Sequence, residues 1–287
     1  MIIDAHHHLW DPAARRHAWL DGRPALRRRF GPDDYREAAA PAGVTASVLV
    51  QVLADVGETE EFLALAAASH APGRDQVPVA GVVGWVDLCG PDVATEIARI
   101  HQQAGGDCLS AVRHLVQDEP DPEWLDRPEV RRGLRAVGAA GLAYDLLIRP
   151  AQRPAAQRVT AELDQVRFVL DHAAKPPIAD GALEPWAAMM GELAARPNVV
   201  CKLSGLVTEA GTGWRPEQFA PYADVLLASF GPGRLMFGSD WPVCLLAGNY
   251  ESVLGLAREL VSPHMTSGEL EAFFAGTARS VYQLAVT

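Results

Sequence analysis

Three consecutive histidines, in the segment MIIDAHHHLW, are the first residues of this chain that could carry chemistry. Apolar residues flank them on both sides, so the run lies within a strand-like segment. Because side chains alternate between the two faces of a strand, we expect His6 and His8 to share one face with Asp4, and His7 to lie on the other. Two imidazoles on one face can bind a divalent ion or hydrogen-bond a carbonyl group. We interpret His6 and His8 as a functional pair, with a pair of purely structural histidines as the alternative, and His7 as a bystander.

Two further candidates lie where predicted strands end. Asp240, in RLMFGSDWPVC, follows an apolar strand and precedes Trp-Pro, where proline prevents the strand from continuing. It could be a catalytic carboxylate or a turn-capping aspartate, and the adjacent Trp241 is a candidate substrate contact. His172, in RFVLDHAAKPPI, could be catalytic or simply a loop histidine. Together with the histidine pair, these side chains could bind one divalent ion, or polarise a carbonyl group while the carboxylate activates water.

Other side chains near strand ends are candidates for substrate binding. Arg113 and His114 end the segment LSAVRH, and a planar guanidinium suits a carbonyl, hydroxyl or carboxylate group. Lys202, in NVVCKLSG, is a weaker candidate because a lysine after an apolar strand can extend toward solvent. Trp85 and Tyr144 could form walls of a pocket, although core packing is the alternative for each. These candidate residues have one feature in common, which is their position near the ends of predicted strands.

Short apolar segments alternate with helical segments along the whole chain. Strands are predicted at 2–8, 45–51, 79–87, 109–113, 142–148, 167–172, 198–203 and 234–239. Helices are predicted near 33–40, 58–70, 91–103, 129–140, 154–164, 183–195, 217–229, 250–261 and 267–284. Eight such units predict a (β/α)₈ barrel formed by residues 1–287 as a single domain. The alternative is a doubly wound sheet, which usually has a glycine-rich loop after its first strand, where this chain has His-His-His-Leu-Trp.

The longest connections are predicted to follow strands that carry candidate residues. They lie at 9–32, 114–128, 204–216 and 240–249. In a barrel, the loops after the strands gather at one face, and that face holds the active site of barrel enzymes. We therefore expect the candidate side chains to meet there.

Composition and charge exclude several classes of function. The chain carries 25 basic and 36 acidic residues, a net charge of −11, which argues against nucleic acid or an anionic membrane as a partner. The four cysteines are dispersed and are expected to be reduced thiols. No run approaches the 18 apolar residues of a membrane span, and the N-terminal segment lacks the pattern of a secretion signal. We expect a cytoplasmic protein that acts on a small molecule and could form a homo-oligomer.

Three motifs of the chain resemble those of the amidohydrolase superfamily, in its amidohydrolase-2 branch. They are the DxHxH start, the DHxxKP segment and the GSDWP segment. The segments GVVGWVDL, EPDPEWL, NVVCKLSGLVTEAG and RLMFGSDWPVCLLA are further similar to sugar-lactone hydrolases of that branch, of the fuconolactonase and rhamnonolactonase type. The resemblance extends from Met1 to the terminal GTARSVYQL.

The resemblance implies a distorted TIM barrel that opens a sugar-derived (aldono) lactone to its hydroxy acid. Asp240 would be the general base that activates water, and Arg113 would contact the substrate. The three histidines His6, His8 and His172 would surround the lactone carbonyl, directly or through a metal ion.

The metal content implied by the resemblance differs from that of the wider superfamily. Many members carry a bridging lysine or glutamate on strand four and a histidine on strand five, where this chain has Arg-His and Tyr-Asp. A two-metal site is therefore not expected. One divalent ion, Zn²⁺ by preference, would be bound by His6, His8, His172 and Asp240, or no metal would be required.

The sequence is also compatible with three alternatives to a sugar lactonase. The branch includes metal-dependent decarboxylases of aromatic or muconate-type acids, and the arginines of this chain could bind a carboxylate substrate. Other members hydrolyse dicarboxylate or muconolactone-type lactones. A non-catalytic metabolite-binding barrel is the alternative outside enzymes.

Overall fold

A computed structural model describes residues 1–71 and 76–286 of the chain. Eight parallel strands follow one another in chain order around a single sheet. They are β1 (Ile3–His7), β2 (Ala46–Val50), β3 (Val79–Gly84), β4 (Leu109–His114), β5 (Ala143–Leu146), β6 (Arg167–Leu170), β7 (Val199–Leu203) and β8 (Leu235–Phe237). The predicted TIM barrel is confirmed, and each observed strand overlaps the segment predicted for it.

The sheet closes where the last strand meets the first. The backbone N–H of Asp240 donates to the carbonyl of His6 at 2.8 Å, and that of His8 donates to the carbonyl of Trp241 at 2.7 Å. These bonds lie just beyond the end of β8 and at the end of β1. Closure of the barrel therefore brings the first and last candidate motifs side by side.

Helices surround the barrel and connect successive strands. They are α1 (Pro32–Ala39), α2 (Val56–Ser69), α3 (Val93–His101), α4 (Pro128–Ala139), α5 (Arg153–Glu162), α6 (Trp186–Ala194), α7 (Leu206–Ala210), α8 (Ala220–Phe230), α9 (Tyr250–Val261), α10 (Ser267–Glu271) and α11 (Thr277–Val281), with a π-helical turn between α10 and α11. Within the described residues, no helix is long and apolar enough to cross a membrane.

Helix α7 lies in a segment, 204–216, that was predicted to be a loop. Gly205 precedes the helix and Gly211 follows it, with φ of 65° and 82°. Glycine adopts these left-handed angles without the steric cost that a Cβ brings. A helix of five residues is shorter than the window over which helical periodicity is recognised in a sequence.

Small apolar side chains fill the part of the barrel interior nearest the strand starts. The cluster includes alanines from five successive strands together with residues of α11 and the segment after it. Gln283, near the chain end, donates to the carbonyl of Gly141 just before β5. The C-terminal segment thus covers the N-terminal end of the barrel, so the only polar interior lies toward the opposite face, within the described residues.

Candidate active site

A β-bulge in β1 alters the expected alternation of its side chains. Between the pairs Asp4–Ser47 and His7–Leu49, β1 has one residue more than β2. Such an extra residue disrupts the ladder and re-aims neighbouring side chains. His7 lies outside the barrel, as predicted, with its Nε2 atom 3.1 Å from Ser47 Oγ.

Asp4 does not share the face of His6 and His8, so that prediction was wrong. Its carboxylate accepts hydrogen bonds from the hydroxyl groups of Tyr35 and Tyr250 at 2.9 Å each, and from that of Ser239 at 2.6 Å. Burial raises the pKa of Asp4, although the bonds from Ser239 oppose this effect. The bulge turns Asp4 toward the helices, where it joins β1 to α1, α9 and the end of β8.

Three imidazoles and one carboxylate converge at the C-terminal face of the barrel. The Nε2 atoms of His6 and His8 are 3.1 Å apart. Asp240 Oδ1 lies 3.5 Å from His8 Nε2, 3.8 Å from His6 Nε2 and 3.9 Å from His172 Nε2. All four residues are buried. The histidine pair, the third histidine and the aspartate therefore meet at one point, although they are up to 234 positions apart in the chain.

Left-handed backbone turns aim two of these side chains. Asp240 has φ of 56°, and His172 through Lys175 all have φ between 48° and 57°. A non-glycine residue in this region costs about 1–3 kcal/mol, and such strain concentrates at functional sites. The turn at His172 follows β6 closely and ends that strand before its predicted boundary, and both turns direct their side chains over the barrel.

Hydrogen bonds to Nδ1 atoms orient two of the histidines. His8 Nδ1 donates to the carbonyl of Val50 at 2.8 Å, and this bond fixes the orientation of the ring. His172 Nδ1 lies 2.9 Å from the hydroxyl of Ser204. Burial lowers the pKa of His172 to about 4, so this imidazole is neutral at neutral pH. His8 and His172 thus direct Nε2 toward the carboxylate of Asp240.

Arg113 points from β4 into the same region. Its guanidinium donates to Asp171 Oδ2 at 2.9 Å and to the carbonyl of Gln51 at 2.5 Å, and lies 3.4 Å from His6 Nε2. Asp171 was not among the site residues predicted from the sequence. Its only signal there is its place beside His172 in the DH dipeptide. Burial would raise the pKa of Asp171, but Lys202, His6 and Arg113 hold it well below the usual range.

Lys202 was predicted to bind substrate or to extend toward solvent. The structure agrees with neither prediction, because the side chain does not line the cavity and does not reach the surface. It is fully buried inside the barrel, with Nζ 2.5 Å from Asp145 Oδ2, 2.9 Å from Asp171 Oδ1 and 3.0 Å from His6 Nδ1. Its position on the inward face of β7 gives it no path to water. Lys202 therefore lies beneath His6 rather than beside the substrate.

Trp85 and His114 form a separate cluster beside the cavity. Trp85 Nε1 donates to His114 Nδ1 at 3.1 Å, and His114 Nε2 lies 2.7 Å from Glu119. The ring of His114 also stacks on that of Trp124 at 4.2 Å between centroids. These contacts occupy both imidazole nitrogens of His114 and the indole N–H of Trp85. The prediction that the two side chains bind substrate therefore does not agree with the structure.

Tyr144 and Trp241 face away from the cavity. Tyr144 is fully buried between strands and helices, with its ring edge against Phe168. Trp241 packs against Phe30 and Tyr35, on the side of α1. The sequence-based expectation that both contact substrate does not agree with these positions, because each lies on the outward face of the barrel.

A cavity of about 370 Å³ opens above the histidines and Asp240. Its walls carry Trp19 and Arg23 from the first long loop, Gln117 from the loop after β4, and Arg149 and Lys175. The Trp19 Nε1 and Gln117 Oε1 atoms are buried and have no hydrogen-bond partner among the described residues. A larger groove, of about 570 Å³, is lined by α1 and α9 instead and is remote from the imidazoles. The smaller cavity is the candidate active site.

His6, His172 and Asp240 are the donor residues at the base of the cavity that together fit one divalent ion. Ligands of tetrahedral Zn²⁺ at about 2.0–2.1 Å would be about 3.3 Å apart, and the separations given above run from 3.1 to 3.9 Å. His6, His172 and Asp240 have ligand atoms within 4.8 Å of one another.

The fold and the site define a (β/α)₈ barrel protein with histidine and aspartate side chains at its C-terminal face. Residues 3–284 match the sequence model of the amidohydrolase family, and the chain belongs to this family. The predicted family is therefore confirmed.

Similar proteins of this family include two named L-fucono-1,5-lactonase. The one from Burkholderia multivorans is 38% identical, with 98% of this chain and 96% of the relative covered. The one from Burkholderia ambifaria is 41% identical, with 86% and 82% covered. A crystal structure of an amidohydrolase from Burkholderia multivorans with bound zinc has a TM-score of 0.91 at 38% identity, with 99% of each chain covered.

Proposed function

We propose that this protein hydrolyses a sugar-derived lactone to the hydroxy acid, with L-fucono-1,5-lactone as the first substrate to test. The observation that carries the proposal is the Asp240 carboxylate, which faces three imidazoles at the base of a polar cavity. Two of the similar proteins are named L-fucono-1,5-lactonase, which favours this reaction over decarboxylation or simple binding.

Asp240 is the proposed base that takes a proton from the attacking water. Burial would raise its pKa, but the nearby His172 and His8 outweigh burial and lower it, so the carboxylate is ionised at neutral pH. Water then adds to the lactone carbonyl, and the ring C–O bond breaks as the ring oxygen receives the proton from Asp240. The products are one free hydroxyl group and one carboxylic acid, which releases its proton to solvent and becomes a carboxylate.

An ionised aspartate with a lowered pKa is a weak base. A bound divalent ion would supply a water with a pKa of about 7, from which Asp240 could take the proton more easily. His6, His8, His172 and Asp240 are the residues that would hold it, and Zn²⁺ suits their nitrogen and oxygen donors.

Arg113 is the proposed donor to the substrate carbonyl oxygen. Its guanidinium is held by Asp171 and Gln51, so it does not have to reorganise when charge develops on that oxygen. A single preorganised donor of this kind contributes about 3–4 kcal/mol to transition-state stabilisation.

The upper walls of the cavity suit the hydroxyl groups of a sugar ring. Trp19 offers an aromatic face and an unpaired Nε1–H donor, and Gln117 offers an unpaired acceptor. Buried polar atoms that lack partners are costly unless a ligand satisfies them. A polyhydroxylated lactone would supply both kinds of partner.

The test is a panel of 1,4- and 1,5-aldonolactones, followed by proton release, with and without a chelator. We expect hydrolysis of at least one sugar lactone, and loss of at least a thousandfold in kcat for Asp240→Asn with an unchanged fold. Carbon dioxide release from aromatic acids without lactone hydrolysis would overturn the proposal. Near-wild-type hydrolysis by Asp240→Asn would remove this residue as the base.

A further inference from the structure

A second cluster of charged side chains lies below the cavity, enclosed in the barrel. Asp145, Asp171, Lys202 and His6 are each 0% exposed. The ammonium of Lys202 is within 3.0 Å of an atom of each of the other three. The proposed hydrolysis assigns no role to this lysine.

The charges of this cluster balance only if Lys202 is counted. Two carboxylates, Asp145 and Asp171, face two cations, Lys202 and Arg113. A buried charge without a partner is strongly unfavourable. The lysine is therefore part of a closed set of compensating charges.

The three groups around the ammonium also form a set of metal ligands. His6 Nδ1 and the carboxylates of Asp145 and Asp171 supply ligand atoms that lie within 4.8 Å of one another. This nitrogen and oxygen set would suit a divalent ion if the space between the groups were free. The Nζ atom of Lys202 fills that space.

The surroundings favour a compact cation at this position. Only two of the 25 basic residues of the chain are lysines, Lys175 and Lys202. An ammonium is a point charge with three donors, whereas a guanidinium is a wide planar fork. The ring of Tyr282 lies 5.3 Å from Nζ, and its hydroxyl donates to Asp145.

We propose that Lys202 is a built-in cation that occupies an inner metal-ligand set of His6, Asp145 and Asp171. It thereby limits the barrel to one exchangeable ion, at the outer set, and acts as a positioning residue for His6. The ammonium holds Asp171 Oδ1 at 2.9 Å, and that oxygen lies 3.3 Å from His6 Nδ1, so the ring is held with Nε2 toward Asp240.

The test counts ions in the full-length protein. Wild type and Lys202→Ala are stripped with a chelator, titrated with Co²⁺ or Zn²⁺, and analysed by elemental analysis and anomalous scattering. We expect at most one tightly bound ion in wild type and one more in Lys202→Ala, between His6, Asp145 and Asp171. Two ions in wild type, or equal counts in two folded proteins, would overturn the proposal.

Matched variants separate this effect from general damage. Lys175→Ala removes the other lysine and should leave the ion count unchanged. Lys202→Ala combined with Asp145→Asn restores the charge balance but removes a ligand, so it should not gain the second ion. A gain in either variant would contradict the assignment.

A kinetic measurement covers the case in which Lys202→Ala does not fold. Lys202→Met combined with Asp145→Asn keeps the volume and the charge balance. We expect at least a tenfold lower kcat with little change in KM, because Lys202 acts through His6 and does not line the cavity. An unchanged kcat would overturn the positioning role. The ion count does not require lactone hydrolysis, so a failed lactonase assay leaves it intact.

Discussion

Gly205 controls the space available to His172, and its replacement offers a sharp test of the site. The residue has φ of 65°, and a Cβ at this position would lie 2.6 Å from His172 Nδ1 and 2.8 Å from its Cγ. Ordinary contacts begin at 3.4 Å, so Gly205→Ala must displace the imidazole or the backbone by about 0.8 Å. A misplacement of about 1 Å at a reacting group costs about a hundredfold in rate.

Gly211 provides a matched control at the other end of α7. Its φ is 82°, and an added Cβ would meet no atom within 4 Å. Gly205→Ala carries the left-handed cost of about 1–2 kcal/mol in the free energy of unfolding. Gly211, with ψ of −172°, lies in a region that essentially only glycine adopts, so Gly211→Ala lowers stability at least as much, but only Gly205→Ala touches the site.

The assay compares kcat/KM on the lactone, Zn²⁺ affinity and urea unfolding for the two variants. We expect Gly205→Ala to lose about a hundredfold in kcat/KM and Gly211→Ala to lose less than threefold, with Zn²⁺ affinity lowered in the first variant alone. Equal activity in the two variants would refute the reasoning that contact with Gly205 positions His172.

Three further predictions follow from buried groups. Burial raises the pKa of Glu58 to about 7, although the backbone N–H groups of its loop oppose the shift. The native state therefore keeps this proton up to about pH 7, whereas the unfolded state releases it near pH 4.5. As pH rises from 4.5 through 7, this carboxyl group lowers the free energy of unfolding by about 3 kcal/mol. Glu58→Gln should gain relative to wild type between pH 5 and 8 in urea unfolding, and a difference independent of pH would contradict this. His7→Ala should lower stability, because the ring stacks on Tyr35 at 3.8 Å, but it should keep most of kcat. His8→Ala should abolish hydrolysis. Equal losses of kcat in the two variants would contradict the outward placement of His7. Gln117→Leu should raise KM about fivefold to tenfold with kcat little changed, and an unaltered KM would remove this acceptor from the binding site.

Much of the fold could be predicted because the relevant patterns are local. Alternating apolar and helical segments identify eight βα units, and the ends of strands locate the loops that carry function. Predictions from strand alternation were wrong where the backbone departs from regular strand geometry. The bulge in β1 reversed the expected side of Asp4, and the left-handed turn at His172 ended β6 early.

Tyr144 illustrates a second limit of sequence reasoning. Its neighbours on β5, Ala143 and Asp145, lie on the inward face, so alternation directs Tyr144 outward. The sequence does not reveal which of the two faces is inward, because that depends on how the sheet curves and closes. The same uncertainty affected Lys202, which could extend to water or point into the barrel.

The sequence alone determined the alternation of elements, the pairing of His6 with His8 and the place of Asp240 after the last strand, since each depends on neighbours within a few residues. Only the tertiary structure decided which charges meet. Lys202 finds Asp145 and Asp171 across three strands, because closure of the barrel sets distances that no spacing along the chain encodes. Burial then makes those partnerships obligatory, as charges removed from water must be compensated by one another.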